Sequence, residues 1–302
     1  MHAAMSRASE LLELGGTLER QGQYAAAWEK LDEGGELKRP RALPKWEGPG
    51  TPCSSLLVLR RIRHLGAELR NARFANMAVP YVDCVVALTE LRLKPLLTRS
   101  FPKVTYVTEL EAVRAACEAS YEGLSRHFAT TEADIAASFE PLVAITYGQP
   151  KGIGIAWHSM NQRKHLPDLH DWAAEIGRLS DLIHSLQYDE EEAGIDRLES
   201  LLGKPIARSP VDQRLDVDGF ASMVASVEGV LTISNTTAHM AGALGKPCVV
   251  ILDDLDHLSW PEKGDCTPFY PTMRLVRCNQ RQWGAVLNEA VGVLRTLIEQ
   301  DK

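Results

Sequence analysis

Residues 231–247 read Leu231-Thr-Ile-Ser-Asn-Thr-Thr-Ala-His-Met-Ala-Gly-Ala-Leu-Gly-Lys-Pro247, and they decide the fold. An apolar strand ends at Ser234, and a helix starts almost at once. The turn between them consists of Ser234, Asn235, Thr236 and Thr237, whose side-chain oxygens suit the cap of a helix. Such a helix start points unpaired N–H groups and the positive end of its dipole beyond the sheet, where a phosphate accepts them. The turn lies at the carboxyl end of a strand, which is where open α/β sheets bind ligands. The plainer reading is that Ser234 or Asn235 only caps a helix. Under either reading Ala238, Ala241, Gly242 and Ala243 let helix and sheet pack closely, and His239 is more simply a packed residue than a catalyst.

Working outward, strand and helix signals alternate. Apolar runs at 153–157, 182–186, 229–233 and 248–252 suit buried parallel strands, with helical spacing at 168–179, 220–227, 236–244 and 283–300. Upstream, strand signals at 56–59, 82–88 and 104–107 enclose helical stretches at 66–77 and up to residue 98, a β-α-β-α-β half, and helical sequence continues over 109–139. Alternation of this kind implies parallel sheets covered on both faces, here in two halves facing a cleft. Residues 9–37 read as a helical hairpin broken at Gln21-Gly22-Gln23-Tyr24, and the run Leu14-Gly15, Gly22, Tyr24, Ala27 resembles one tetratricopeptide repeat. A lone repeat cannot bury both faces, so it either docks on the next domain or survives from a longer array, and it offers a surface for self-association. Pro40, Pro44, Pro49 and Pro52 mark a linker. The expected organisation is a hairpin and linker start over 1–42, an N-terminal Rossmann-like domain over 43–148 and a C-terminal one over 149–302.

The formal charge of −7 gives no general attraction for nucleic acid. No segment reaches the roughly 18 consecutive apolar residues of a membrane helix, and the start lacks the apolar stretch of a secretory signal, so the expected compartment is the cytoplasm. Cys53, Cys84, Cys117, Cys248, Cys266 and Cys278 include no Cys-x-x-Cys pair and are expected to be reduced structural thiols. Arg60, Arg61, Arg63, Arg70 and Arg73 crowd together, as an anion site or as the solvated face of a helix. No Gly-x-Gly-x-x-Gly follows a first strand, which disfavours a dinucleotide enzyme.

A second loop, His158-Ser-Met-Asn-Gln-Arg-Lys-His165, follows the first strand of the second half. If that strand neighbours the one before Ser234, both loops share an edge, and Arg163 with Lys164 would balance a diphosphate's charge. An ordinary solvated loop is the alternative.

From about residue 43 onward the chain resembles bacterial tetratricopeptide-linked glycosyltransferases, related to heptosyltransferases and more remotely to O-linked N-acetylglucosamine transferases. Gly154-Ile-Ala-Trp157 with the basic loop, Ser185-Leu-Gln187, Thr232 to Pro247 and Phe269-Tyr-Pro-Thr-Met-Arg274 carry the resemblance. It implies a GT-B fold whose C-terminal half binds a nucleotide diphosphate-sugar without a metal or other cofactor, for inverting transfer to a protein or glycan acceptor. Asn235, Thr236 and Thr237 would then meet the diphosphate or sugar, with Ser234 and His239 supporting the turn. Arg163 or Lys164 would stabilise the departing nucleotide, and Gln187, Tyr188 and His158 would lie around the donor. A base would project from the N-terminal half, where His64 and Glu68 stand. The family's Gly-x-Gly-Asp turn is replaced by Arg63-His-Leu-Gly-Ala-Glu-Leu69, and Asn235 stands where related transferases often have Asp. The alternatives are a non-catalytic scaffold on the same fold and a sugar-nucleotide epimerase of the same layout.

Overall fold

The computed structural model describes residues 2–61, 64–149, 151–161, 164–253, 260–278 and 282–301. They form two compact units, Met1–Val143 with Leu258–Lys263, and Ala144–His257 with Gly264–Lys302.

The first unit begins with α1 (His2–Arg20) and α2 (Tyr24–Lys38), joined at Gly22, whose φ of 76° is left-handed and favours glycine. Ala8 and Leu11 of α1 meet Tyr24, Ala27, Trp28 and Leu31 of α2 in the buried set. The Trp28 indole N–H donates to the Ala129 carbonyl at 2.6 Å, so the hairpin docks on its own unit. There follow β1 (Leu56–Leu59), α3 (Leu65–Ala78), β2 (Val85–Leu88), α4 (Lys94–Ser100), β3 (Val104–Val107), β4 (Cys117–Ser120), α5 (Tyr121–Phe128) and α6 (Glu132–Ala137). All four strands are parallel, in the order β3-β2-β1-β4. β4 corrects the helical expectation for 109–139. Cys-Glu-Ala-Ser carries no β-branched residue and no apolar run, and its pairing with β1 is held by tertiary contacts.

The arginine cluster is neither a solvated face nor an open anion site. Arg61, Arg70 and Arg73 are buried, and Arg60 pairs with Glu68 and Glu90, while Arg70 pairs with Glu19 of α1. Arg63 lies outside the described residues. At the carboxyl ends of β1 and β4 the network continues inward. Asp32 of α2, 2% exposed, accepts from the Ser120 hydroxyl at 2.5 Å and from Lys45 at 3.1 Å, with Arg61 at 3.4 Å. Arg61 also donates to Glu118 at 2.8 Å, whose second oxygen accepts the Ala42 and Leu43 amides. The chain reverses direction across the sheet between β1 and β4, the place where a ligand crevice opens in such sheets. Here the hairpin's own carboxylate fills it.

The thiol expectation is corrected at one pair. Cys53 and Cys117 form a disulfide that ties the linker to the start of β4, whereas Cys84, Cys248, Cys266 and Cys278 form no disulfide among the described residues. The two halves of the bridge are 64 positions apart, a separation that no local spacing rule reveals.

Burial pushes the Glu122 carboxyl up to about 7, with Asp32 adding to the effect, and its Oε2 has no hydrogen-bond partner. The folded chain therefore holds this proton where the unfolded chain has released it, and stability falls as pH rises from the ordinary carboxyl range to about 7. Glu122→Gln is expected to stabilise the protein by about 3 kcal/mol at pH 8 and by almost nothing at pH 4, read from urea unfolding. The same gain at both pH values would contradict the assignment.

The second unit runs β5 (Ile153–Ala156), α7 (Leu169–Ile176), β6 (Ile183–Ser185), α8 (Ile195–Leu202), α9 (Val217–Ala225), β7 (Gly229–Ile233), α10 (Thr236–Ala243), β8 (Cys248–Leu252), β9 (Met273–Arg277) and α11 (Trp283–Asp301). The sheet is parallel throughout, in the order β6-β5-β7-β8-β9. β5, β7 and β8 are buried at every position, which accounts for their unbroken apolar sequence. α11 lays Val286, Leu287, Ala290, Val291 and Leu294 into the core beside Ile153, Ile155 and Trp172. α8 and β9 were not expected from the sequence. No described helix is long and apolar enough to cross a membrane. The fold class is thus α/β, two parallel sheets preceded by a helical hairpin.

Candidate functional site

In the second sheet the chain direction reverses between β5 and β7, and the loops leaving those two strands are the basic loop and the Ser234 turn. A doubly wound sheet of this order opens its ligand crevice there. The two loops meet. Lys164 donates from Nζ to the Ser234 carbonyl, and the His165 amide donates at 2.7 Å to Asp253, the first residue after β8. The basic loop is therefore pinned across the carboxyl ends of β7 and β8. Arg163 lies outside the described residues.

Asn235 is the N-cap of α10. Its Oδ1 accepts the Ala238 amide at 3.1 Å and the Thr232 hydroxyl at 3.2 Å, while its Nδ2 is buried with no hydrogen-bond partner. This fixes the amide's orientation, with oxygen toward the helix. The amides of Thr236 and Thr237, the first two of the helix, have no partner among the described residues. Three N–H-bearing groups thus await acceptors at one helix start, and the dipole favours that acceptor being anionic. An Asp in place of Asn235 would add a negative charge beside them.

Thr236 is half-buried, and its hydroxyl has no partner among the described residues. Thr237 is 2% exposed and donates its hydroxyl to the Leu186 carbonyl at 3.3 Å, so its side chain fastens α10 to the end of β6 and only its amide is available. Ser234 is buried and contributes its carbonyl to Lys164. His239 is packed, its Nδ1 at 3.1 Å from the Tyr270 hydroxyl. Tyr270 in turn lies against Gly242, where an added Cβ would come within 2.5 Å of the ring. Gly242→Ala is expected to cost about 1–3 kcal/mol in thermal or urea unfolding by overpacking this contact; an unchanged midpoint would show that the ring has room to retreat.

Gln187 is 1% exposed and organises the neighbouring loop. Its Oε1 accepts the amides of Trp157 and His158 at 3.0 and 2.9 Å, and its Nε2 donates to the Tyr188 carbonyl. It thus shapes the site, with both lone pairs of its Oε1 and one N–H of its Nε2 engaged. His158 is half-buried behind it. The Tyr188 hydroxyl accepts the Met160 amide at 3.1 Å, and the Arg214 guanidinium lies 5.2 Å from its ring centre. These two side chains, with Gln187, Ser209, Val211 and Gln213, border a cavity of about 500 Å³ at the β6 end of the edge. The cavity lining begins at Gln187, the residue after Leu186, whose carbonyl accepts the Thr237 hydroxyl, so the cavity adjoins the α10 start. His64 stands in the first unit, exposed, on the residue before α3. Glu68 is 3% exposed and bound to Thr89, the Glu90 amide and Arg60, a packed ion pair, with burial raising its pKa.

Sequence reasoning missed Asp253, Gln213 and Arg214. Asp253 had a signal, being the first polar residue after an apolar strand. Gln213 and Arg214 lie in a loop with no pattern, and only the fold brings them to Tyr188.

No family model matches the chain. It is 26% identical to Protein FlbA of Caulobacter vibrioides over 340 aligned positions, covering 97% of this chain and 54% of FlbA. The chain thus spans about half the length of that curated relative. Among solved structures it resembles the E. coli ADP-heptose lipopolysaccharide heptosyltransferase II, with a TM-score of 0.59, 11% identity, and 82% and 99% of the two chains covered. A family 9 glycosyl transferase from Veillonella parvula gives a TM-score of 0.57, 8% identity and coverages of 82% and 97%. E. coli heptosyltransferase WaaC, solved with ADP-2-deoxy-2-fluoro heptose, gives 0.52, 13%, and 82% and 100%. At these identities the likeness is one of fold, the GT-B arrangement of paired parallel α/β sheets seen in glycosyltransferases.

Proposed function

We propose that this chain is a glycosyltransferase that moves a sugar from a nucleotide diphosphate-sugar to a hydroxyl of a protein or glycan acceptor. The observation that carries the reading is the start of α10, with three N–H-bearing groups that have no partner among the described residues at the β5/β7 reversal, Lys164 over the same turn and the Tyr188 cavity beside it. The diphosphate meets the Thr236 and Thr237 amides and Asn235, and the nucleoside lies toward Tyr188. In the transfer the acceptor oxygen bonds to the anomeric carbon as the bond from that carbon to the phosphate oxygen breaks. The electron pair leaves with the nucleoside diphosphate, and the acceptor proton passes to a base on the acceptor side. Charge gathers on the departing phosphate, where preorganised amides and the Lys164 cation act most strongly. This reading asks for no metal and for inversion at the anomeric carbon. It places the protein in the cytoplasm, where thiol buffers would hold the Cys53–Cys117 bridge open except under oxidation.

The test is release of nucleoside diphosphate from a panel of nucleotide-sugars, with and without acceptor proteins or glycans. Lys164→Ala is expected to lower kcat by about tenfold to a hundredfold with little change in donor affinity; equal loss of both would make it a general binding residue. A second reading, a non-catalytic scaffold that keeps the nucleotide site, is favoured by one observation, the Asp32 carboxylate filling the crevice of the first sheet. Donor binding without turnover against any acceptor would select it.

A further inference from the structure

A buried carboxylate has to be satisfied, and Asp253 is 5% exposed at the first position past β8. Two of its contacts come from the basic loop, 88 positions earlier in the chain. Its Oδ2 accepts the His165 amide at 2.7 Å, and the His165 ring Nδ1 stands 3.5 Å from the same oxygen. The amide that donates belongs to the planar peptide unit joining Lys164 to His165. The peptide unit on the other side of Lys164 is held as well, its N–H donating to the Asn161 carbonyl at 3.1 Å. The Cα of Lys164 is therefore fixed from both sides. From there the side chain reaches the Ser234 carbonyl, one residue before the Asn235 cap of α10.

β8 neighbours β7, the strand that leads into α10. The Asp253 carboxylate thus shares an edge with the proposed diphosphate and opposes it by charge. What it can contribute to transfer is position. A lysine ammonium on a flexible four-carbon stem stabilises a departing phosphate most when its backbone is already in place, because less freedom is lost in the transition state. We infer that Asp253 is a positioning residue for the transfer, which holds Lys164 over the α10 start through the His165 amide. This rests on the glycosyl-transfer reading above and adds a residue to its machinery.

Steady-state kinetics on the nucleotide-sugar that turns over in the panel above, arranged as a double-mutant cycle, test it. Asp253→Ala is expected to lower kcat by about tenfold while the donor KM stays level or falls, since an opposing charge has gone. Asp253→Asn keeps an oxygen for the His165 amide and is expected to recover kcat to within about threefold of the wild type. Asp253→Glu keeps the charge but moves the acceptor by one methylene, and its kcat is expected to lie between those of the Ala and Asn variants. Asp253→Ala/Lys164→Ala is expected to be no slower than Lys164→Ala alone, because both changes remove one interaction. Hydrogen exchange at the His165 amide, faster in Asp253→Ala and slow in Asp253→Asn, reads the clasp itself. Losses that multiply in the double variant, an Asn variant as slow as the Ala one, or a Glu variant at the wild-type rate would each overturn the inference and leave the transfer reading standing. A wild type that turns over no nucleotide-sugar would remove both.

Discussion

Thr236→Glu is expected to weaken nucleoside diphosphate binding by about a hundredfold or more while leaving the melting temperature unchanged or slightly raised. The side chain at 236 stands at the first position of α10, half-buried and with no hydrogen-bond partner among the described residues, so folding loses no side-chain hydrogen bond there. An acid in the first turn of a helix interacts favourably with its dipole, by about 0.3–1 kcal/mol. The same charge opposes a phosphate at the neighbouring amides. At about 4 Å and an effective dielectric near 20, two like charges repel by about 4 kcal/mol, and every 1.4 kcal/mol is about tenfold in affinity. Stability and binding should therefore move in opposite directions, an outcome that misfolding cannot mimic. Titration calorimetry beside thermal melting reads both, and unaltered binding would remove the phosphate from this helix start.

Arg61→Met is expected to cost about 3–5 kcal/mol of stability in urea unfolding. The Arg61 side chain is 1% exposed and lies between Asp32 at 2% and Glu118 at 1%, and its loss strands two carboxylates inside the first unit. Lys45 and Arg126 remain near Asp32, which keeps the figure toward the lower end. Burial alone would raise the Asp32 pKa, but the Ser120 hydroxyl, Lys45 and Arg61 together hold it below the usual carboxylate range. A depressed carboxyl contributes stability above its unfolded pKa and loses it as pH falls through the folded value. The cost of Arg61→Met should accordingly be largest near neutral pH and shrink in acid, as the wild type loses this contribution and the stranded carboxylates of the variant take up protons. A cost below about 1 kcal/mol would mean that the hairpin is fastened by its apolar contacts alone.

The parts of this fold that were legible in the sequence share a physical cause. β1, β7 and β8 are short apolar runs buried in parallel sheets, and their expected bounds, like those of the alternating β3, coincide with the observed ones. The Asn235 cap was legible because a polar, hydroxyl-rich turn between an apolar strand and small helical residues has few other uses. What was illegible depends on partners far away in the chain. β4 contains Glu118, which reads as exposed until Arg61 and the amides of Ala42 and Leu43 surround it. The arginine cluster read as the solvated face of a helix or an anion site because nothing local announces that Glu19, Asp32, Glu36 and Glu118 converge on it. In the candidate site, Thr237 and Gln187 both stand at the carboxyl edge. Their side chains turn out to be spent on Leu186 and on the Trp157 and His158 amides, a distinction that only coordinates make.

The first sheet bears on the acceptor. Asp32 occupies the point where that sheet would otherwise open toward a ligand, and Glu68 is consumed by Arg60 and Thr89. Under the proposed transfer, an acceptor has to be recognised elsewhere than at this crevice.

The claim that the α10 start holds a diphosphate is tested most directly by following the backbone amide resonances of Thr236 and Thr237 during titration with nucleoside diphosphates. The expected result is saturable shifts of both amides, with slowed hydrogen exchange, while amides at the opposite edge of the same sheet, such as Val230, stay in place. Saturable binding that leaves the Thr236 and Thr237 amides unmoved, or no binding at all, would contradict the account.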